Sequence, residues 1–274
     1  MTIKNKYGKI AIFIILALIA LIVLLPLLSM VNISLKSTAE YYRNPTEIVK
    51  APEISNYVTA FAKTKISVLF KNSLIFLLFG TVLSVLSAVL VAFPVARKRV
   101  KGHKIIYTII ISSMMLPPSL IPLYNLMSKL HMINTYHGLI MYYIGSCAAI
   151  SIFILTGFVD TIPRELDEAA SIDGCGYFTF LAKIIIPLMK SPIATVSMLV
   201  AVTIWNDFIN PFLFLTDPAK RNIASGLYML KGEFTMSTNT FVAALIIILL
   251  PLTVVYIFLQ QRITESLTGG AVKG

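Results

Sequence analysis

Residues 10–31 run without a single charged side chain, and residues 73–96, 105–126, 138–159 and 240–259 do the same. A helix needs about 20 apolar residues to cross roughly 30 Å of hydrocarbon, and only a helix or a closed barrel satisfies its backbone there. A sixth stretch, 192–215, holds one ionisable residue, Asp207. Six such runs in 274 residues predict an all-α polytopic membrane protein with six transmembrane helices. Composition agrees, since 13% of residues are charged against about 25% in soluble domains.

Lys4, Lys6 and Lys9 precede the first run as they would in a secretory signal. The run exceeds the roughly 7–15 apolar residues of such signals, and no clear small-x-small cleavage site follows it, so it reads as a retained span. Orientation follows from the short loops. Arg97, Lys98, Arg99, Lys101 and Lys104 crowd the second loop, whereas residues 128–137 carry only Lys129. Basic residues mark the cytoplasmic side, so both termini are expected inside. Residues 32–71 and 216–239 then lie outside and residues 160–190 inside. The net charge of +11 reads as topology and anionic-lipid contact rather than nucleic-acid binding.

Prolines stand within or beside the spans at Pro26, Pro94, Pro117, Pro118, Pro122, Pro192, Pro211 and Pro251. Each removes a backbone donor and frees a carbonyl, which suits a protein with a cavity or gate and is also tolerated in ordinary membrane helices. Cys147 and Cys175 lack metal-ligand spacing and read as packing residues. His103, His131 and His137 are scattered.

The polar segment after the fourth span is the main departure from this greasy pattern. Pro163 suits the first turn of a helix, and Glu165, Asp167 and Glu168 favour its positive end. Leu166, Ala169 and Ala170 predict a compact apolar face, and Asp173-Gly174 a sharp helix stop. Tyr177 to Ile186 then predict a second, mostly apolar helix leading to Pro187. Taken alone, Glu168-Ala169-Ala170 is better read as a chance match in a plain surface loop.

Over a longer string, Ile162-Pro163-Arg164-Glu165-Leu166, Glu168-Ala169-Ala170, Asp173-Gly174, Phe180, Ile184 and Pro187-Leu188 resemble the EAA loop of permeases in binding-protein-dependent ATP-binding-cassette (ABC) importers. Asn72-Ser73, Trp205-Asn206-Asp207-Phe208 and the tail Leu267–Gly274 resemble the carbohydrate branch, similar to the six-span permease of maltose systems. The likeness runs from about Asn56 to the C-terminus, with Ser266 standing where that tail usually has glycine.

The resemblance implies a type I importer permease in the cell membrane of a prokaryote. Its expected divisions are 1–35 (tail and first span), 36–71 (extracytoplasmic connection), 72–260 (permease core, with coupling segment 160–190) and 261–274 (cytoplasmic tail). Arg164, Glu165, Glu168, Ala169, Ala170, Asp173, Gly174 and Pro187 would couple to the ATPase, and Gly269, Gly270 and Lys273 would touch it through the tail. The expected partners are a second homologous permease, an ATPase dimer, a solute-binding protein and membrane lipid. This chain would bind no cofactor, ATP and Mg being held by the ATPase; it has no G-x-x-x-x-G-K-[ST] loop.

Asp207, with Asn206, is a candidate for the translocation path, because an intramembrane carboxylate defaults to a functional hypothesis. A structural helix end paired with a basic group competes with it. Tyr228, Lys231 and Glu233 are candidates for binding-protein contact, with a plain connector as the alternative. A permease for a non-sugar solute is the nearest rival reading. A membrane-embedded enzyme would need paired carboxylates or H-E-x-x-H, which the spans lack, and a secondary transporter would not need the Glu168 helix.

Overall fold

The computed structural model of the protein describes residues 6–116, 119–233 and 237–250. Every regular element among them is helical. In chain order these are α1 (Lys6–Ser34), α2 (Thr38–Arg43), α3 (Ser55–Thr64), α4 (Ile66–Ala96), α5 (His103–Ser113), α6 (Leu120–Lys129) and α7 (Tyr136–Val159). There follow α8 (Glu165–Ile172), α9 (Tyr177–Phe180), a π-helical turn (Leu181–Ile185), α10 (Ile186–Leu188), α11 (Lys190–Asn206), α12 (Ile209–Phe214) and α13 (Ile223–Glu233). A last apolar helix, α14, spans Thr238–Leu250. The described residues divide into two compact units, one within 6–66 and 227–250, the other within 67–226.

Three helices, α1, α4 and α7, are long and apolar enough to cross a membrane. A fourth candidate is the pair made by α9–α10 and α11, bent by 81°. The expected spans 10–31, 73–96 and 138–159 each fall within one of the three long helices. The others differ. The run 105–126 is not one helix but α5 and α6, of 11 and 10 residues. Pro117 and Pro118, themselves outside the described residues, fall between them in sequence, and two successive residues without N–H groups cannot carry a helical ladder. The run 240–259 is described only as far as Leu250.

The run 192–215 begins at Lys190, and its helix stops at Asn206, where Asp207 turns extended (φ −71°, ψ 116°). Pro211 explains the break: it cannot donate to the carbonyl four residues back, which belongs to Asp207. The Asn222 amide supplies the missing donor at 3.0 Å.

In the first unit none of the apolar length of α1 is buried. Its C-terminal carbonyls, orphaned as in any helix end, are met by side chains. The buried Asn56 amide donates to Ser34 O and Lys36 O, and Asn239 also donates to Lys36 O. Lys36 itself is fully buried, its ammonium on the carbonyls of Asn44 and Pro45.

The second unit is built on α7, which packs against α5, α11 and α12. Leu139, Tyr143, Cys147, Leu155 and Val159 of α7 are buried, as are Val196, Val200 and Ile204 of α11, spaced four apart on one face. Phe76, Val89, Ala92 and Phe93 of α4 join the same core. Asn72 holds it from one end. It donates to Ala219 O and Arg221 O and accepts from the Tyr136 hydroxyl, while Ser73 Oγ accepts from Ile223 N.

Candidate functional site

The polar segment forms a short helix, a tight stop and a second helix. Pro163 stands outside the first turn rather than in it; Arg164 is the N-cap, its carbonyl accepting from Asp167 N and Glu168 N at 2.9 and 3.3 Å. The stop is a Schellman motif. Cys175 N bonds Ala170 O at 2.8 Å and Gly174 N bonds Ser171 O at 3.1 Å, with Gly174 at φ +67°. Glycine is required there by backbone conformation alone, since a Cβ would meet nothing within 4 Å.

The faces of α8 differ from the expected ones. Ala170 is buried, but Leu166 and Ala169 are exposed. The exposed positions Glu165, Glu168, Ala169 and Ile172 follow i, i+3, i+4, i+7 spacing and so share one face. Ile172 is 86% exposed and Phe178, just beyond the turn, 75%. Neither Glu165 nor Glu168 forms an ion pair among the described residues. Two carboxylates flanked by bare apolar side chains make a surface suited to a partner with a basic rim.

The inner face is tied down through Asp167. Arg99 donates to its Oδ1 at 2.8 Å, and Arg97 Nη2 lies 3.1 Å from Oδ2. Arg97 also donates to Ile162 O at 2.9 Å, and its side chain is only 4% exposed. Arg97 and Arg99 therefore have defined protein partners, which corrects their reading as lipid contacts; Lys98, Lys101 and Lys104 remain exposed. Sequence reasoning took Asp167 only for a first-turn carboxylate, because nothing in the local pattern points to arginines about 70 residues earlier in the chain.

Pro187 sits in α10, directly after the π-turn. Ile186 N bonds Leu181 O, five residues back. The widened turn moves the carbonyl of Lys183 away from the proline ring that would otherwise press on it.

A second site lies at the break between α11 and α12. A cleft of about 250 Å³ is lined by Tyr142, Tyr143, Ser146, Cys147, Thr203, Asn206, Asp207 and Asn210. The Asn210 amide donates to both carboxylate oxygens of Asp207, at 3.1 and 3.0 Å. No basic residue pairs with Asp207 among the described residues. Tyr143 OH and Asn210 Oδ1 are buried and make no well-formed hydrogen bond. Trp205 does not line the cleft but packs edge-on against Phe70. Tyr143 and Asn210 were not singled out by sequence; an aromatic in an apolar run reads as packing.

Tyr228 is exposed on α13. The side chains of Lys231 and Glu233 lie outside the described residues, as do Gly269, Gly270 and Lys273.

Among the described residues the chain is all-helical, with helices long and apolar enough to cross a membrane, a polar, exposed helix–turn–helix and a polar cleft at the break between α11 and α12. Residues 80–268 match the family described as binding-protein-dependent transport system inner membrane component, and the chain belongs to that family. It is 32% identical over 244 residues to the sulfoquinovosyl glycerol transport system permease protein SmoH of Agrobacterium fabrum, covering 88% of this chain and 86% of that one. It is 31% identical to the melibiose/raffinose/stachyose import permease protein MelC of Bacillus subtilis, covering 89% and 90%. Its fold is similar to a chain in the crystal structure of a bacterial ABC transporter involved in the import of the acidic polysaccharide alginate, with TM-score 0.80 and 23% identity, covering 95% of this chain and 98% of that one.

Proposed function

We propose that the chain is the permease subunit of an ABC importer for a sugar or oligosaccharide. With a second homologous permease it forms half of the membrane pathway, and its own part is six spans with both termini in the cytoplasm of a prokaryotic cell. The observation that carries this reading is the exposed face of α8: Glu165, Glu168, Ala169 and Ile172 turned to solvent on a helix whose opposite face is fixed by Asp167. That face docks on an ATPase subunit, which binds ATP and Mg, and closure of the ATPase dimer moves α8. Arg164, Ala170, Asp173, Gly174 and Pro187 shape the element; Gly269, Gly270 and Lys273 of the tail make a further ATPase contact. Tyr228, Lys231 and Glu233 meet an extracytoplasmic binding protein.

Sugar as cargo is supported by the transport names of the relatives. The cleft supports it chemically. A hydroxyl group can accept from Tyr143 OH while donating to Asn210 Oδ1 or Asp207, adding well-formed bonds to polar atoms whose present geometry is poor. Asn206 and Asp207 thus belong to the translocation path.

The test is copurification with the ATPase and uptake of a panel of radiolabelled sugars (melibiose, raffinose, maltotriose). Wild type is expected to hold the ATPase and take up at least one sugar, and Glu168→Lys to lose both. Retention of ATPase and uptake by Glu168→Lys would sink the coupling assignment.

A further inference from the structure

We propose that Arg97, Arg99 and Asp167 form the joint through which movement of α8 is passed to α4. The inference rests on the reading of α8 as the ATPase-docking helix and adds the route by which its displacement reaches the membrane domain.

The joint is built on a fixed turn. Helix α4 ends in a Schellman motif of its own, with Arg99 N on Pro94 O at 2.9 Å and Lys98 N on Val95 O at 3.2 Å, Lys98 standing at φ +56°. This turn sets Arg97 and Arg99 two residues apart, so that both reach one carboxylate. Arg97 additionally holds Ile162 O and approaches Pro163 O at 3.4 Å, gripping the chain just before α8. The Arg99 guanidinium lies over Phe93 of α4 at 5.3 Å and over Tyr177 and Phe180 of α9 at 5.8 Å each. One cluster therefore touches α4, the entry to α8, and α9.

Its stiffness follows from charge and burial. The Arg97–Asp167 pair is shielded from water, its side chains 4% and 16% exposed, and a charge-assisted bond so placed is stronger than a surface ion pair; Arg99, 38% exposed, adds direction through its planar guanidinium. Among the described residues, α8 itself adds Ala170 to the buried core. The cluster also has slack: Arg97 Nε is buried without a well-formed hydrogen bond, and Asp167 Oδ2, 3.1 Å from Arg97 Nη2, is paired by charge but not by ideal hydrogen-bond geometry. A small shift of α8 would complete or release those bonds, giving the joint two discrete arrangements.

The experiment uses the complete transporter purified with its ATPase subunits, comparing hydrogen exchange with and without ATP and vanadate. In wild type, α8 and the end of α4 (residues 90–99) are expected to change protection together. In Asp167→Asn, α8 should still respond and vanadate-sensitive ATPase should stay within about twofold, while the response of residues 90–99 falls at least fivefold. Asp167→Glu should restore it. An undiminished response of residues 90–99 in Asp167→Asn, or none in wild type, overturns the proposal. If Asp167→Asn fails to assemble, Arg99→Lys, which leaves Arg97 in place, is measured the same way, and assembly failure in both assigns the cluster a purely structural role. Absence of any ATPase from the wild-type preparation would instead count against the docking reading of α8.

Discussion

The side-chain amide of Asn222 donates to the backbone carbonyl of Asp207, the acceptor that Pro211 strips of its helical donor. Asn222 is buried, and its own carbonyl oxygen accepts from Ser225 N and Oγ at 3.0 and 2.6 Å. One side chain thus makes the break between α11 and α12 tolerable, and the break in turn aims Asp207 at the cleft.

Removing that donor should expose the cost of the break. Asn222→Ala is expected to destabilise the protein by about 1–3 kcal/mol, the penalty of leaving a buried acceptor unpaired. Pro211→Ala, which restores a backbone N–H, should recover part of the loss. Thermal unfolding of the detergent-solubilised single and double variants checks this; strict additivity of the two effects would contradict the pairing.

The cleft variants should separate stability from transport. Tyr143→Phe removes a buried hydroxyl whose contact with Asp207 is not a well-formed bond, so the unfolding midpoint should change little. Uptake of the best sugar in the panel should nevertheless fall, and fall further in Asp207→Asn. Unchanged uptake in both variants would remove the cleft from the translocation path.

Gly174→Ala should cost about 1–2 kcal/mol locally, because an L-residue is disfavoured in the left-handed region. Gly174→Asn should be milder, since asparagine visits that region more readily. Protease sensitivity of the turn and ATPase retention on the purified subunit report the effect, with the order wild type, Asn, Ala.

Two glycines of α7 should respond oppositely. A Cβ on Gly138 would lie 2.1 Å from Met132 O and 2.8 Å from Thr135 Oγ1, whereas one on Gly145 meets nothing within 4 Å. Gly138→Ala is expected to abolish most folded yield, and Gly145→Ala to leave it unchanged, as judged by monodispersity on size-exclusion chromatography.

Much of the polar segment was legible because its signals are local. Asp173-Gly174 marks a helix stop whatever surrounds it, and charge-free runs declare long helices such as α1, α4 and α7. Which face of α8 turns inward was not legible. Alanine is small enough for either side, and the choice between Ala169 and Ala170 was made by where Asp167 meets Arg97 and Arg99. Pro117, Pro118 and Pro211 were visible as bend signals, but a run of apolar residues reads the same whether a helix continues through a proline or breaks at it.

The sequence by itself determined the solvent this chain must live in, its helical class and the position of a polar helix–turn–helix, since hydrophobic length and capping chemistry act over a few turns. Only the tertiary structure decided the partners of Asp167, the donor for the Asp207 carbonyl and the grouping of Tyr143 with Asn210 around one cleft. Those pairings join residues far apart along the chain, and their energies depend on distance and burial, which no one-dimensional pattern encodes.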